Sequence, residues 1–576
     1  MKKEKLLVIG GVAAGAKTAA KARRENQSLD ITILSNEDMI SYAGCGLPYY
    51  IGGVIETEEA LKIVKAESFE KVRDIKVELN TEAKDIDPGN KTVSALDLKS
   101  GELKKYEYDT LVIATGAIPF PLPLPGADLP GIYNLRTVRD SNKIKDAAVK
   151  TAAKKGRALV IGSGLIGIET AENLFDMGIE TVVVEMKDQI LAGFDYDVSL
   201  YIRYFMEQKG LQIKTSEMVT GFSQLDDGRI KVSLRSGGDV DVDFVVAAAG
   251  VKANSEIAVR CGIKTGIAGA IKVDDNFETN IKDIFAVGDC VEMKNRITGK
   301  ECWVPLGSTA NKMGRIMAEK RFGGSTEVFP GVLGTMIIKV FEMTAGKTGL
   351  TEKDAKAGGY DYDTVIVPGN DSAGYYPGFK EIITKLIYEK KSGRVLGGQV
   401  FGWGVVDKPV DILVTAISFN ATIFDLSNLD LAYAPPFSNA MASTIASSNT
   451  GRNKLSGRVK TVHPVDLFSD EKNRDVIILD IRTDDEVAEW SIPGSIHIEN
   501  TYLSDRIGEL DKDKEYAIVC RRGIRAYNAY KILEKAGFKK IAVLSGGTVF
   551  STHFWEKIRL EASAAPQSIS AASGKT

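Results

Sequence analysis

One pattern constrains this chain more than any other, and it occurs twice. A short apolar strand runs into a glycine-rich turn and then a small-residue helix. LLVIGG (6–11) reads as a buried parallel strand that enters Gly10-Gly11-Val12-Ala13-Ala14-Gly15 and a helix from Ala13 to Glu25, with ITIL (31–34) as the next strand. ALVIGSGLIGIETAENLF (158–175) followed by TVVVE (181–185) repeats it. Glycines at such a turn let a pyrophosphate approach the backbone, and the helix start offers free N–H groups and the positive end of its dipole. Between the copies lies YDTLVIATGAIP (108–119). VDFVVAAAGVKAN (242–254) parallels it, and IKDIFAVGDC (281–290) carries a later Gly-Asp.

This order predicts an α/β chain with two nested Rossmann-like dinucleotide-binding domains, the second inserted within the first. In the first turn Val12 replaces the middle glycine of G-x-G-x-x-G, and Ser35 stands where an acidic ribose ligand is usual, with Glu37 just beyond. The distant Gly288-Asp289 supplies a carboxylate suited to a ribityl hydroxyl, so Gly10, Gly15, Ser35 and Asp289 point to FAD. The second fingerprint, Gly162-Ser163-Gly164-Leu165-Ile166-Gly167, is complete, and Glu185 closes the following strand. A carboxylate there accepts both ribose hydroxyls and repels a 2′-phosphate, which favours NADH over NADPH. Glu169 reads equally well as a dipole-favoured surface residue or as a neighbour of the nicotinamide.

The chain has only five cysteines, no disulfide framework, and three histidines, His463, His497 and His553, all in its last quarter. The cysteine usage leads us to expect a cytoplasmic protein. The first 462 residues must do any acid–base chemistry without imidazole. A formal charge of −3 gives no argument for nucleic acid, and the uncharged stretch 111–127 is broken by four prolines, so no membrane segment is expected. Glu4 and the early glycines argue against a signal peptide at the N-terminus.

Cys45, in SYAGCGLPYY (41–50), precedes a helix start that would lower its thiol pKa. Tyr50 occupies the place of a C-x4-C partner, so a single-cysteine mechanism is implied, through a mixed disulfide or a sulfenic acid. Cys520 opens a second sulfur motif, Cys520-Arg521-Arg522-Gly523-Ile524-Arg525, between the strand YAIV and a helix. Backbone N–H groups and three arginines there would stabilise a thiolate and attract anions. Cys261, Cys290 and Cys302 lack metal-ligand spacing and read as ordinary thiols. No metal site is expected.

GGVAAG (10–15), SYAGCGLPYYIGG (41–53), FAVGD (285–289), VPLGSTANKMGR (304–315), YYPG (375–378) and AYAPPF (432–437) together resemble the single-cysteine pyridine nucleotide-disulfide oxidoreductases, and within them coenzyme A disulfide reductase. Residues from about 458 resemble a rhodanese domain, through Asp480-Ile481-Arg482, Ile492-Pro493-Gly494-Ser495 and Leu544-Ser545-Gly546-Gly547. The resemblance implies FAD-binding parts at 1–125 and 255–330, an NADH-binding domain at 126–254 and an α+β dimerisation domain at 331–450. A polar linker at 451–457, a rhodanese-like α/β domain at 458–560 and a disordered tail at 561–576 complete the expected organisation. It implies a homodimer in which Tyr375 and Tyr433 reach the partner's site as proton donors near Cys45. Arg24 and Ser41 match family positions that contact coenzyme A. Tyr42 joins the candidate substrate-binding set with Arg521, Arg522 and Arg525 of the rhodanese loop, and Arg73 and Lys71 are weaker candidates.

Two departures bear on substrate and adenosine contacts: Gly44 stands where the family has Asn, and Ser35 replaces the usual acid. Ala13-Ala14 stand where related oxidases and peroxidases carry a histidine. The implied activity is NADH-driven reduction of coenzyme A persulfide, polysulfide or disulfide through Cys45, with Cys520 relaying sulfane sulfur. The alternatives are a coenzyme A disulfide reductase whose rhodanese merely buffers sulfur, an NADH oxidase or peroxidase using Cys45 sulfenic acid, and a sulfur-relay protein acting mainly through Cys520.

Overall fold

A computed structural model describes residues 3–469 and 475–552. The expected tail, the end of the expected rhodanese segment and His553 lie outside the described residues. The chain forms two compact units. One comprises the chain up to Leu191 together with Leu211–Gly334; the other comprises Ala192–Gly210 and the chain from Thr335 onward.

The first unit holds two five-stranded parallel sheets. The first is ordered Ile284–Ala286, Thr110–Ile113, Lys5–Ile9, Asp30–Leu34, Ile75–Glu78. The second is ordered Gln212–Lys214, Glu180–Val184, Arg157–Ile161, Phe244–Ala247, Ile132–Asn134. All strands of the second sheet fall in sequence between Thr110–Ile113 and Ile284–Ala286 of the first, so the second domain is nested in the first. Val8, Ile33, Val112 and Ile284 are fully buried, as strands covered on both faces require. The helices Ala14–Glu25 and Gly307–Gly323 approach closely because Gly314 has no side chain; a Cβ there would lie 2.6 Å from the Ala14 carbonyl oxygen.

The second unit holds an antiparallel five-stranded sheet ordered Met336–Val340, Met343–Gly349, Val395–Gly402, Glu381–Glu389, Tyr362–Asn370. It also holds a parallel sheet ordered Thr461–Val462, Ile541–Leu544, Tyr516–Val519, Ile477–Asp480, Ile496–His497. The expected linker at 451–457 is corrected. The helix Ser443–Leu455 runs through most of it, because its small residues Ser447, Ser448 and Gly451 are buried and Lys454 pairs with Asp363 at 2.6 Å.

The segment Ala192–Gly210 was expected in the NADH-binding stretch, yet it belongs to the second unit. Asp195 and Asp197 explain why. They contact the fully buried Lys385 ammonium at 2.9 and 2.7 Å, and Glu352 completes its shell. Burial alone would strip this proton, but Asp197, Asp195 and Glu352 push the Lys385 pKa up. The imidazole Nε2 of His463 lies 3.0 Å from Asp197. Asp197, Glu352 and His463 converge in the way metal ligands do, although sequence spacing shows nothing of it. The cation their carboxylates hold is the lysine.

Candidate functional site

The two glycine turns have the geometry of phosphate cradles. Gly10 and Gly162 take φ of +106° and +95°. A Cβ at Gly15 would collide with the Gly10 carbonyl, and one at Gly167 with that of Gly162, while Gly164 faces open space. Neither following helix has a side-chain cap or an acidic residue in its first turn, so the N–H groups at both starts are left for an anion. Glu185 accepts hydrogen bonds from Ser163 N at 2.9 Å and Ser163 Oγ at 2.7 Å, which holds its carboxylate over the second turn. Asp289 has a buried Oδ1 with no partner among the described residues. Such an orphaned acceptor fits an incoming hydroxyl donor, the contact FAD would supply. Ser35 is buried at the end of its strand and accepts from Glu37 N at 3.3 Å.

Cys45 sits in the tight turn Gly44–Gly46 that leads into the helix Leu47–Ile51, with Pro48 in its first turn. Its side chain is accessible to solvent. The expectation of a lowered thiol pKa is corrected: burial of part of the thiol and the carboxylates of Glu169 and Asp289 push it up, against a smaller opposing effect of Arg136. Burial is the largest of these effects. Glu169 therefore belongs to the surroundings of Cys45. Burial raises its pKa to about 7, and Tyr49 OH lies 3.5 Å away. Arg136 was not named from the sequence. Its guanidinium acts on Cys45, Glu37 and Asp289 alike, and only the fold brings these together.

Ser41 has φ +51° and is pinned by its N–H to Gly11 O at 2.8 Å. Tyr42 is buried and donates to Glu37 at 3.1 Å, so its hydroxyl is already engaged. Arg24 is exposed on the last turn of its helix, whereas its neighbour Arg23 is buried and bonds four backbone carbonyls. Arg73 stacks over Phe69 at 4.9 Å. Lys71 lies on the same helix, Ala66–Arg73. Cys290 is a core thiol: fully buried, directed at the carbonyls of Ile113 and Val287, and pushed up to about 11 by burial.

In the second unit, the hydroxyls of Tyr375 and Tyr433 meet at 3.1 Å, and both side chains are exposed. That hydrogen bond pushes the Tyr375 pKa up, so the phenol keeps its proton. Cys520 is buried at the end of its strand, and its sulfur accepts the N–H groups of Gly523 at 3.0 Å and Ala526 at 3.4 Å. Gly523 takes φ +109°, which a side chain would oppose. A cavity of about 470 Å3 opens at this loop, walled by Asn370, Gly374 and Phe379 on one side and by Cys520, Arg521, Arg522, Ile524 and Arg525 on the other. The three arginines do not act alike. Arg525 is paired with Glu486 at 2.7 Å, and Arg522 with Glu381 at 2.8 Å; Arg521 is exposed. His497 bonds the Arg482 carbonyl at 2.8 Å, a structural role.

Residues 4–314 match the pyridine nucleotide-disulphide oxidoreductases, 335–445 the dimerisation domain of that family, and 465–549 the rhodanese-like domain. The chain belongs to the pyridine nucleotide-disulphide oxidoreductase family. Membership implies FAD and a pyridine nucleotide as cofactors, and the two cradles and the Asp289 acceptor fit them. The chain is 34% identical over 438 residues to the NAD(P)H sulfur oxidoreductase (CoA-dependent) of Pyrococcus furiosus, covering 76% of this chain and 96% of that protein. Its fold matches the reduced CoADR-RHD of Bacillus anthracis with TM-score 0.91 at 34% identity, over 97% of this chain and 99% of that one. It matches the NAD-dependent persulfide reductase from A. fulgidus with TM-score 0.89 at 38% identity, over 95% and 99%. Among the described residues no helix is long and apolar enough to cross a membrane.

Proposed function

We propose that this chain is an FAD-dependent, NADH-driven reductase of coenzyme A persulfide or polysulfide, and of coenzyme A disulfide, with Cys520 supplying sulfane sulfur. The observation that carries the persulfide reading is the intact loop at Cys520, whose sulfur is cradled by two N–H groups at an open cavity. The names of the Pyrococcus furiosus and A. fulgidus relatives support the same substrate class.

Bound flavin supplies the link between hydride chemistry and thiol chemistry. Gly10, Gly15 and Asp289 would hold it; Gly162, Gly164, Gly167 and Glu185 would hold NADH. The Cys45 thiolate attacks the carrier sulfur of a coenzyme A persulfide. A Cys45–coenzyme A disulfide bond forms, the sulfur–sulfur bond of the persulfide breaks, and hydrosulfide leaves. Two electrons originating from NADH then restore the Cys45 thiolate and release the coenzyme A thiol. Glu169, poised near neutrality beside Cys45, takes and returns the thiol proton. Tyr375 and Tyr433 of the partner subunit hold a proton for the departing sulfur. Arg24, Ser41 and Arg73 form the coenzyme A contact surface, with Tyr42 buried behind Ser41, and Arg521 draws anionic sulfur donors to Cys520. Joining both sulfur sites in one chain raises their effective concentration.

The test is NADH oxidation with coenzyme A persulfide, coenzyme A disulfide, polysulfide and oxygen, for wild type, Cys45→Ser and Cys520→Ser. Cys45→Ser is expected to abolish turnover with every sulfur substrate, and oxygen is expected to be a poor acceptor. Full turnover by Cys45→Ser would sink the mechanism. A Cys520→Ser variant that behaves as wild type with every sulfur donor would sink the relay.

A further inference from the structure

Arg522 belongs to a loop shaped to hold sulfur, yet its charge is spent elsewhere. Its Nη2 donates to Asn370 Oδ1 at 2.9 Å and to Glu381 Oε2 at 2.8 Å. Asn370 ends one strand, Glu381 begins the next, and the two face each other in register where the hairpin between them opens. The guanidinium therefore bridges both strands at the root of the loop 371–380. That loop carries Tyr375.

The loop has few other ties. Asp371 accepts from Lys380 N at 2.9 Å and Val405 N at 3.2 Å, and Ala373 N donates to Pro435 O at 3.1 Å. The last contact joins the loop to the segment bearing Tyr433, whose hydroxyl meets that of Tyr375. One face of the same loop, through Gly374 and Phe379, walls the Cys520 cavity. The tyrosine pair and the sulfur pocket thus share one short piece of backbone, and an arginine of the sulfur motif fixes its root.

We infer that Arg522 is a positioning residue for the reductase: it sets the loop that presents Tyr375, so the rhodanese loop forms part of the reductive apparatus independently of sulfur transfer. This rests on the role given to Tyr375 above. Proton donors tolerate little misplacement, and a shift of about 1 Å can cost about a hundredfold in rate. The loop keeps its Asp371 and Pro435 ties when Arg522 is lost, so a smaller loss follows.

The test uses the full-length holoenzyme with NADH and coenzyme A disulfide, a substrate that asks for no sulfur from Cys520. The variants are Arg522→Ala, Arg522→Lys, Glu381→Gln, Tyr375→Phe and the Arg522→Ala/Tyr375→Phe double. Arg522→Ala is expected to lower kcat by about three- to tenfold with KM for the disulfide unchanged. Arg522→Lys recovers part of the loss, and the double variant is no slower than Tyr375→Phe, because both changes remove one function. Glu381→Gln lowers kcat in the same sense and carries the prediction if Arg522→Ala does not fold. Wild-type kcat in both Arg522→Ala and Glu381→Gln, or losses that multiply in the double variant, would overturn the inference while Tyr375→Phe remains slow. Wild-type kcat in Tyr375→Phe would overturn the tyrosine role itself, and the inference with it.

Discussion

Glu169→Gln is the most informative single change, because Glu169 is both strained by burial and electrostatically coupled to Cys45. Burial moves its pKa from the ordinary 4.5 to about 7. In the unfolded chain the group ionises near the ordinary value. Below that pH both states are protonated and nothing is lost. As pH rises from there to about 7, the unfolded state ionises while the folded state keeps its proton, so stability falls. Above 7 the full cost stands, about 3 kcal/mol from the size of the displacement. Glutamine is nearly isosteric and cannot ionise. Its advantage over wild type should therefore be small at pH 5 and larger by about 2–3 kcal/mol at pH 8, read from urea unfolding of the holoenzyme. The same change removes a carboxylate that pushes the Cys45 thiol up. The pH profile of Cys45 alkylation should move to lower pH. A stability difference that is the same at both pH values, or an alkylation profile that stays in place, would refute the reasoning.

Lys385→Met leaves Asp195, Asp197 and Glu352 without their shared cation and should cost about 3–5 kcal/mol, visible as a lower urea midpoint. Glu185→Ala removes the carboxylate held over the second glycine turn. It should shift the ratio of kcat/KM for NADPH over NADH upward by about tenfold, measured with the two nucleotides in parallel. Gly167→Ala puts a Cβ against the Gly162 carbonyl and should weaken NADH binding, seen as a raised KM for NADH with the flavin spectrum retained.

The parts legible in the sequence are those written in local patterns. The two strand–turn–helix units declare themselves because Gly10, Gly15, Gly162 and Gly167 meet steric demands within a few residues of each other. The Cys520 cradle is legible for the same reason: donors at Gly523 and Ala526 are three and six residues from the sulfur. What escaped is long-range pairing. Glu169 reads two ways in the sequence because nothing near it there says that its carboxylate acts on Cys45. The same blindness hid Arg136, and it made Arg522 and Arg525 read as free cations when Glu381 and Glu486 already neutralise them. The stretch 451–457 reads as a linker from its polarity, but small polar residues also suit a helix packed closely on a sheet. The scarcity of histidine pointed to tyrosine for proton work; the fold adds a carboxyl group held near neutrality by burial.

The central claim is that Cys45 forms a mixed disulfide with coenzyme A while Cys520 handles sulfur alone. Its most direct test is peptide mass mapping after coenzyme A persulfide is added, without NADH, to enzyme whose Cys45 is a free thiol. The account predicts a coenzyme A adduct on the peptide carrying Cys45, hydrosulfide released in equal amount, and loss of the adduct when NADH is supplied. A Cys45 peptide that stays an unmodified thiol, in enzyme that then consumes NADH with the same persulfide, would contradict it.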